Sequence, residues 1–125
     1  MAESFLIPYP PTKAGKKDWS KRFGLNAYWS GKHWAQRKED ADFWHMLVRL
    51  EMNRQRVRRK PFERAVKITM LFNDRLDGSN HAIYFKLIED AMKGRVIQDD
   101  SRRWVRSCEM GFHEQDCILV KVEEV

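Results

Sequence analysis

Cysteine is scarce in this chain. It occurs only as Cys108 and Cys117, too few for a disulfide scaffold and without the spacing of zinc ligands. Two buried thiols in a reducing compartment is the expectation that follows. Long apolar runs are also missing. None is long enough to span a bilayer and no apolar signal segment opens the sequence, so no membrane role and a cytoplasmic location are expected. There is no Gly-rich phosphate loop, no serine nucleophile elbow and no Cys–His arrangement, which sets aside nucleotide-loop and covalent-nucleophile chemistry of the familiar kinds. The histidines, His33, His45, His81 and His113, are scattered, and ordinary structural roles are expected for them. Internal repeats and low-complexity tracts are absent.

What is present suits one folded unit. The 125 residues, 42% hydrophobic and 34% charged, predict a single domain over 1–125 rather than a disordered chain. Five Trp, seven Phe and three Tyr supply large apolar surfaces for a small core. Lys and Arg number 24 against 18 Asp and Glu, giving a net charge of +6. That balance favours a polyanion, nucleic acid before others, through phosphate contacts and counterion release. A solubilising surface is the alternative.

The order of elements reads as β, α, β, α, ββ. Phe5–Ile7 predicts a short strand ended by Pro8, Pro10 and Pro11. Thr12–Lys32, polar, basic and glycine-bearing, predicts a long loop. His33 to about Arg56 has helical spacing in Trp34, Ala41, Trp44, Leu47, Val48 and Met52, with Trp34 and Trp44 expected as core anchors. Arg64–Phe72 reads as a strand. His81–Met92 reads as a helix capped by Ser79 or Asn80 and stopped at Gly94. Arg103–Glu109 and Cys117–Val122 both alternate and predict an antiparallel hairpin. The expected fold class is α+β: a mixed β-sheet with two main helices packed on it and a C-terminal β-hairpin.

The chemical interest lies between Asp74 and Asp100, where Asp74, Asp77, Asp90, Asp99 and Asp100 fall in a basic protein. Asp77 follows one strand and Asp99-Asp100 precedes the next. If those strands are neighbours, the acids are expected to meet on one rim of the sheet. Carboxylates about 4 Å apart repel by roughly 4 kcal/mol at an effective dielectric near 20, so a cluster calls for a cation or a shared proton. Magnesium takes such oxygens together with water and phosphate. Arg75, Lys86, Lys93, Arg95, Arg102, Arg103 and Arg106 are candidates to hold flanking phosphates. The plainer readings are a turn at Asp77-Gly78-Ser79-Asn80 and a surface helix pair between Lys86 and Asp90. Two further basic features stand open. Arg54-x-Arg56-x-Arg58-Arg59-Lys60 is either a phosphate-tracking arm or a solvated helix end. Lys13, Lys16, Lys17, Lys21 and Arg22, interleaved with Trp19 and Phe23, either grip DNA by charge and stacking or fold Trp19 into the core.

The run Leu76-Asp77-Gly78-Ser79-Asn80-His81, the helix carrying Lys86 and Asp90, and the following Asp99-Asp100 together resemble the central signature of RusA-like Holliday-junction resolvases. The opening Ile7-Pro8-Tyr9-Pro10-Pro11-Thr12 is similar to that family's strand-then-Pro-Pro start, and Tyr28-x-x-Gly31-x-His33-Trp34-x-x-Arg37 to a subgroup of it. The resemblance implies a magnesium-dependent endodeoxyribonuclease (Mn2+ as a substitute) that incises four-way DNA junctions as a homodimer, in recombination and repair. It implies Asp77, Asp100 and Lys86 as catalytic residues. Asp77, Asp99, Asp100 and Ser79 would be the metal ligands. Arg75, Asn80, Lys93, Arg95, Arg102, Arg103, Lys16 and Lys17 would contact the branched double-stranded DNA. Ser79 stands where the family's Asp-x-Asp-Asn has its second acid, which predicts weaker metal binding. A junction-binding protein with little or no catalysis is therefore the alternative.

Overall fold

Strand β2 (Val66–Phe72) organises the molecule. Its alternate residues Val66, Ile68, Met70 and Phe72 are all buried, while Lys67, Thr69 and Leu71 face the thinly covered side. This period-two pattern marks a strand with one face on a core. The computed structural model describes all of residues 1–125. In it β1 (Ala2–Pro8), β2, β3 (Val105–Phe112) and β4 (Cys117–Glu124) form one mixed sheet of order β1-β4-β2-β3. β4 is antiparallel to both β1 and β2, and β3 is parallel to β2.

Two main helices supply the other layer, as the sequence predicts. The long one (Trp34–Arg54) sends Trp44, Val48 and Met52 into the core, and the shorter one (Ala82–Met92) sends Tyr84, Ile88, Ala91 and Met92. Numbered in chain order these are α3 and α4; α1 (Lys13–Phe23) and α2 (Leu25–Trp29) precede them. The segment Thr12–Lys32 thus corrects the expectation of a long loop. Thr12 caps α1 by accepting from the Gly15 amide at 3.0 Å. Trp19 and Phe23, one helical turn apart, enter an aromatic cluster with Trp44 at 4.8 and 5.3 Å between ring centroids. Only two apolar anchors fix this short basic helix, too few to stand out as a helical period.

The C-terminal strands run in opposite directions and are joined through residues 113–116, as a hairpin would be. They do not pair with each other, because β2 lies between them. The connection crosses the end of β2 and is tied there: the His113 amide donates to the Phe72 carbonyl at 3.0 Å, and Asn73 Nδ2 donates to the Gln115 carbonyl at 3.0 Å. β2, fully apolar on its core face, takes the central position where both of its edges are satisfied.

The two borders of the sheet differ. On the β1 side, the Gln55 side chain accepts from the Leu6 amide at 2.9 Å and donates to the Leu6 carbonyl at 2.7 Å, as a neighbouring strand would. The β3 border has no such cover, and Arg106 to Met110 are all exposed. Cys108 lies there, exposed, so only Cys117 is a buried thiol; both are free. Trp34, at 71% exposure, is not a core anchor, whereas Trp44 is fully buried. No helix is long and apolar enough to cross a membrane.

Candidate functional site

The path from β2 to β3 places the acids. Parallel strands need a crossover, and α4 provides it, running back along the sheet. Asp77 follows the C-terminal end of β2, where Gly78 lies beside Phe112 at the end of β3. Asp99 and Asp100 precede the opposite end of β3, where Val105 pairs with Val66. β2 is seven residues long, about 20 Å at 3.3 Å per residue. The strands are neighbours, as the rim argument requires. Being parallel, they put the end of one and the start of the next at opposite borders. Asp77 and Ser79 are exposed and stay out of any acidic group with Asp100; Asp99 is exposed and unpaired.

What gathers around Asp100 comes instead from the last turns of α4. Ligand oxygens of Glu89, Asp90 and Asp100 lie within 4.8 Å of one another. The Lys86 ammonium sits among them, 3.7 Å from Glu89, 3.2 Å from Asp90 and in a short hydrogen bond to Asp100. The Lys93 ammonium closes the other side, 3.1 Å from both Asp90 and Asp100. Lys86, Glu89, Asp90 and Lys93 fall three, four and seven positions along one helix face, so this half was legible as i,i+3 and i,i+4 spacing. Glu89 is the member the sequence reading passed over.

These contacts set the local proton affinities. Hydrogen bonding from Lys86, with Lys93 assisting, lowers the Asp100 carboxyl to about 2. For Lys86, burial acts downward, but hydrogen bonds to Asp100 and Asp90 outweigh it and raise the ammonium. Burial raises the Glu89 carboxyl, with the charges of Asp100 and Asp90 adding to it. Asp90 Oδ1 is shielded from solvent and lies 3.2 Å from the Lys86 ammonium and 3.1 Å from that of Lys93. All the donors are carboxylate oxygens, the class that a hard divalent ion takes. Three carboxylates against two ammonium groups leave room for such an ion's charge, and Lys86 occupies the centre of the set as an internal cation.

The opposite end of the crossover holds a second polar group. Asp74 and His81 are both buried, with Nε2 of the imidazole 2.7 Å from Asp74 Oδ1. Tyr9 donates to Asp74 Oδ2 at 3.0 Å and accepts from the Asn73 amide at 2.9 Å. The Leu76 amide also donates to Asp74, at 3.0 Å. Burial acts to raise the Asp74 carboxyl, but the bonds from His81, Leu76 and Tyr9 overcome it and hold it below the ordinary carboxylate range. His81 thus has a structural role, as expected, stacked on Phe72 at 4.0 Å. Asp74 is spent on this network.

The candidate DNA contacts divide. Lys16, Lys17 and Arg75, distant in sequence, line one cleft with Lys13. Lys93 belongs to the acidic group. Arg102 and Arg103 are exposed, the latter against Trp104 at 5.0 Å. Asn80 sits in the 3-10 turn Gly78–His81. Arg95 is not a DNA contact. It is buried, at 5% exposure, and its guanidinium donates to Asn53 and to the carbonyls of Met52, Val57 and Arg58. It ties the end of α3 to the segment after α4. No family model matches the chain, and no characterised protein is similar enough to count as a relative.

Proposed function

We propose that the chain is a magnesium-dependent endodeoxyribonuclease for branched double-stranded DNA, with Glu89, Asp90 and Asp100 as the cation's carboxylates. The observation that carries this reading is the gathering of three carboxylates within 4.8 Å of one another, with the Lys86 ammonium centred among them. The RusA-like resemblance supports it by singling out Lys86, Asp90 and Asp100. Asp77 and Ser79 leave the ligand set, and Glu89 enters.

A bound Mg2+ (or Mn2+) would polarise the scissile phosphate and lower the pKa of an attacking water. The chain's own residues do the rest. Lys86 and Lys93 turn from the acids to the phosphate oxygens and stabilise the charge that develops there. Arg102 and Arg103, exposed in the loop after Asp100, hold flanking phosphates and so set position more than sequence. A four-way junction has near two-fold symmetry, and a homodimer presents two such sites to it.

The test is incubation of the purified chain with labelled four-way junction and with linear duplex, in Mg2+, Mn2+ or chelator. Metal-dependent incision of the junction is expected. Asp100→Asn should lower cleavage by about 100-fold or more while gel-shift binding stays within a few-fold. Full cleavage by Asp100→Asn would overturn the site. A second reading, junction binding without cleavage, is favoured by the two lysines that already neutralise the acids. It requires a gel shift on the junction with no incision in either metal.

A further inference from the structure

We propose that the cleft between the start of α1 and the end of β2 is a binding site for a phosphate group. The proposal stands independently of the metal reading, since it uses none of the acids around Asp100. The cleft has a volume of about 660 Å³ and is lined by Lys13, Lys16, Lys17, Ser20, Asn73, Asp74 and Arg75. Lys13, Lys17 and Arg75 are exposed and form no ion pair. Lys16 is partly held, 3.0 Å from Asp116 and 4.5 Å over the Tyr9 ring, but its ammonium keeps donors free.

The acid in the wall does not offset these cations. Asp74 is paired with His81 and accepts from Tyr9 and Leu76, so its charge is used on the inner side. The same network fixes the cleft's shape, because Asn73 and Arg75 flank that anchored residue in sequence. Lys13 and Lys17 on α1 and Arg75 in the bend after β2 set three unpaired cations around one concavity, where an anion gains charge pairs with all of them.

Ser20, a neutral member of the wall, adds a hydroxyl that can donate to a bound anion. Phosphate matches this set: several oxygens, each an acceptor, and charge for lysine and arginine. The source is either a phosphodiester of a nucleic-acid strand or a small free phosphate.

The test is a titration of the full-length, 15N-labelled chain with inorganic phosphate, at ionic strength matched with chloride, followed by amide chemical shifts. Saturable shifts confined to residues 13–20 and 73–76 are expected. The Lys17→Glu/Arg75→Glu variant, changed only at exposed positions, should bind at least about tenfold more weakly. Lys60→Glu, which alters a cation paired with Glu63, should leave affinity unchanged. A second arm uses a short single-stranded oligonucleotide. Shifts at the same amides at far lower concentration identify a strand phosphodiester as the source, and tighter binding of inorganic phosphate identifies a small phosphate. Shifts that do not saturate, that spread equally to Arg102 and Arg103, or that persist in the double variant overturn the proposal.

Discussion

The two ends of the β2–α4–β3 crossover hold similar residues in opposite electrostatic states. At the Asp100 end, three carboxylates, of which only Glu89 is buried, share two ammonium groups. At the Asp74 end, one carboxylate is buried and saturated by His81, Tyr9 and a backbone amide, and of the cations beside it Lys13, Lys17 and Arg75 form no ion pair while Lys16 reaches Asp116. Where a charge finds its partner therefore decides what each end can take: a cation among paired acids, an anion among free bases. Burial decides how much each pair is worth. Breaking a buried pair strands a charge in a low dielectric, whereas an exposed pair loses little.

The largest expected effect tests that contrast. Asp74→Ala should destabilise the fold by about 2 kcal/mol or more, read as a lower urea midpoint, because it leaves the Tyr9 hydroxyl, the Leu76 amide and the His81 ring without their partner. Lys86→Met at the other end should cost under about 1 kcal/mol; equal costs would erase the distinction between the ends. The next effect is on chemistry. Asp77→Asn should leave junction cleavage unchanged, whereas Asp100→Asn should remove it. If Asp77→Asn abolished incision instead, the catalytic acids would sit at the wrong end.

Smaller effects come from proton affinity. The Asp100 carboxyl, lowered to about 2 by Lys86 first, should titrate there in a carboxyl 13C pH series and move toward its ordinary 3.8 in Lys86→Met. Its folded value is depressed, so its stabilisation is present above the ordinary value and is lost as pH falls from 3.8 through about 2. Glu89 has the opposite sign. Burial raises its folded value, so ionising it costs stability as pH rises past the ordinary carboxylate range. Glu89→Gln should raise the unfolding midpoint slightly at pH 7, with the gap closing below about pH 4. A constant gap at all pH values would show that packing, and not charge, accounts for the change.

Much of the fold was legible because the strong elements carry strong periods. β2 alternates without error and α4 keeps its helical stripe, while α3 keeps only the buried row Trp44, Val48 and Met52, with Phe43, Met46 and Leu50 exposed. α1 was not, because two aromatic anchors on a lysine-rich segment give too little pattern. The site was half legible. Lys86, Asp90 and Asp100 do meet, while Asp77 does not, since adjacency of two strands says nothing of their relative direction. Arg95 shows another limit. Nothing local distinguishes a buried guanidinium that gathers carbonyls from α3 and the following turn from one that faces solvent.

The Gln55 amide that clasps Leu6 has a consequence for assembly. With one margin of the sheet already occupied by a side chain, strand addition has a single open lane, along β3. A chain that joins another there uses up both lanes at once and terminates as a pair, whereas two vacant margins would permit endless stacking.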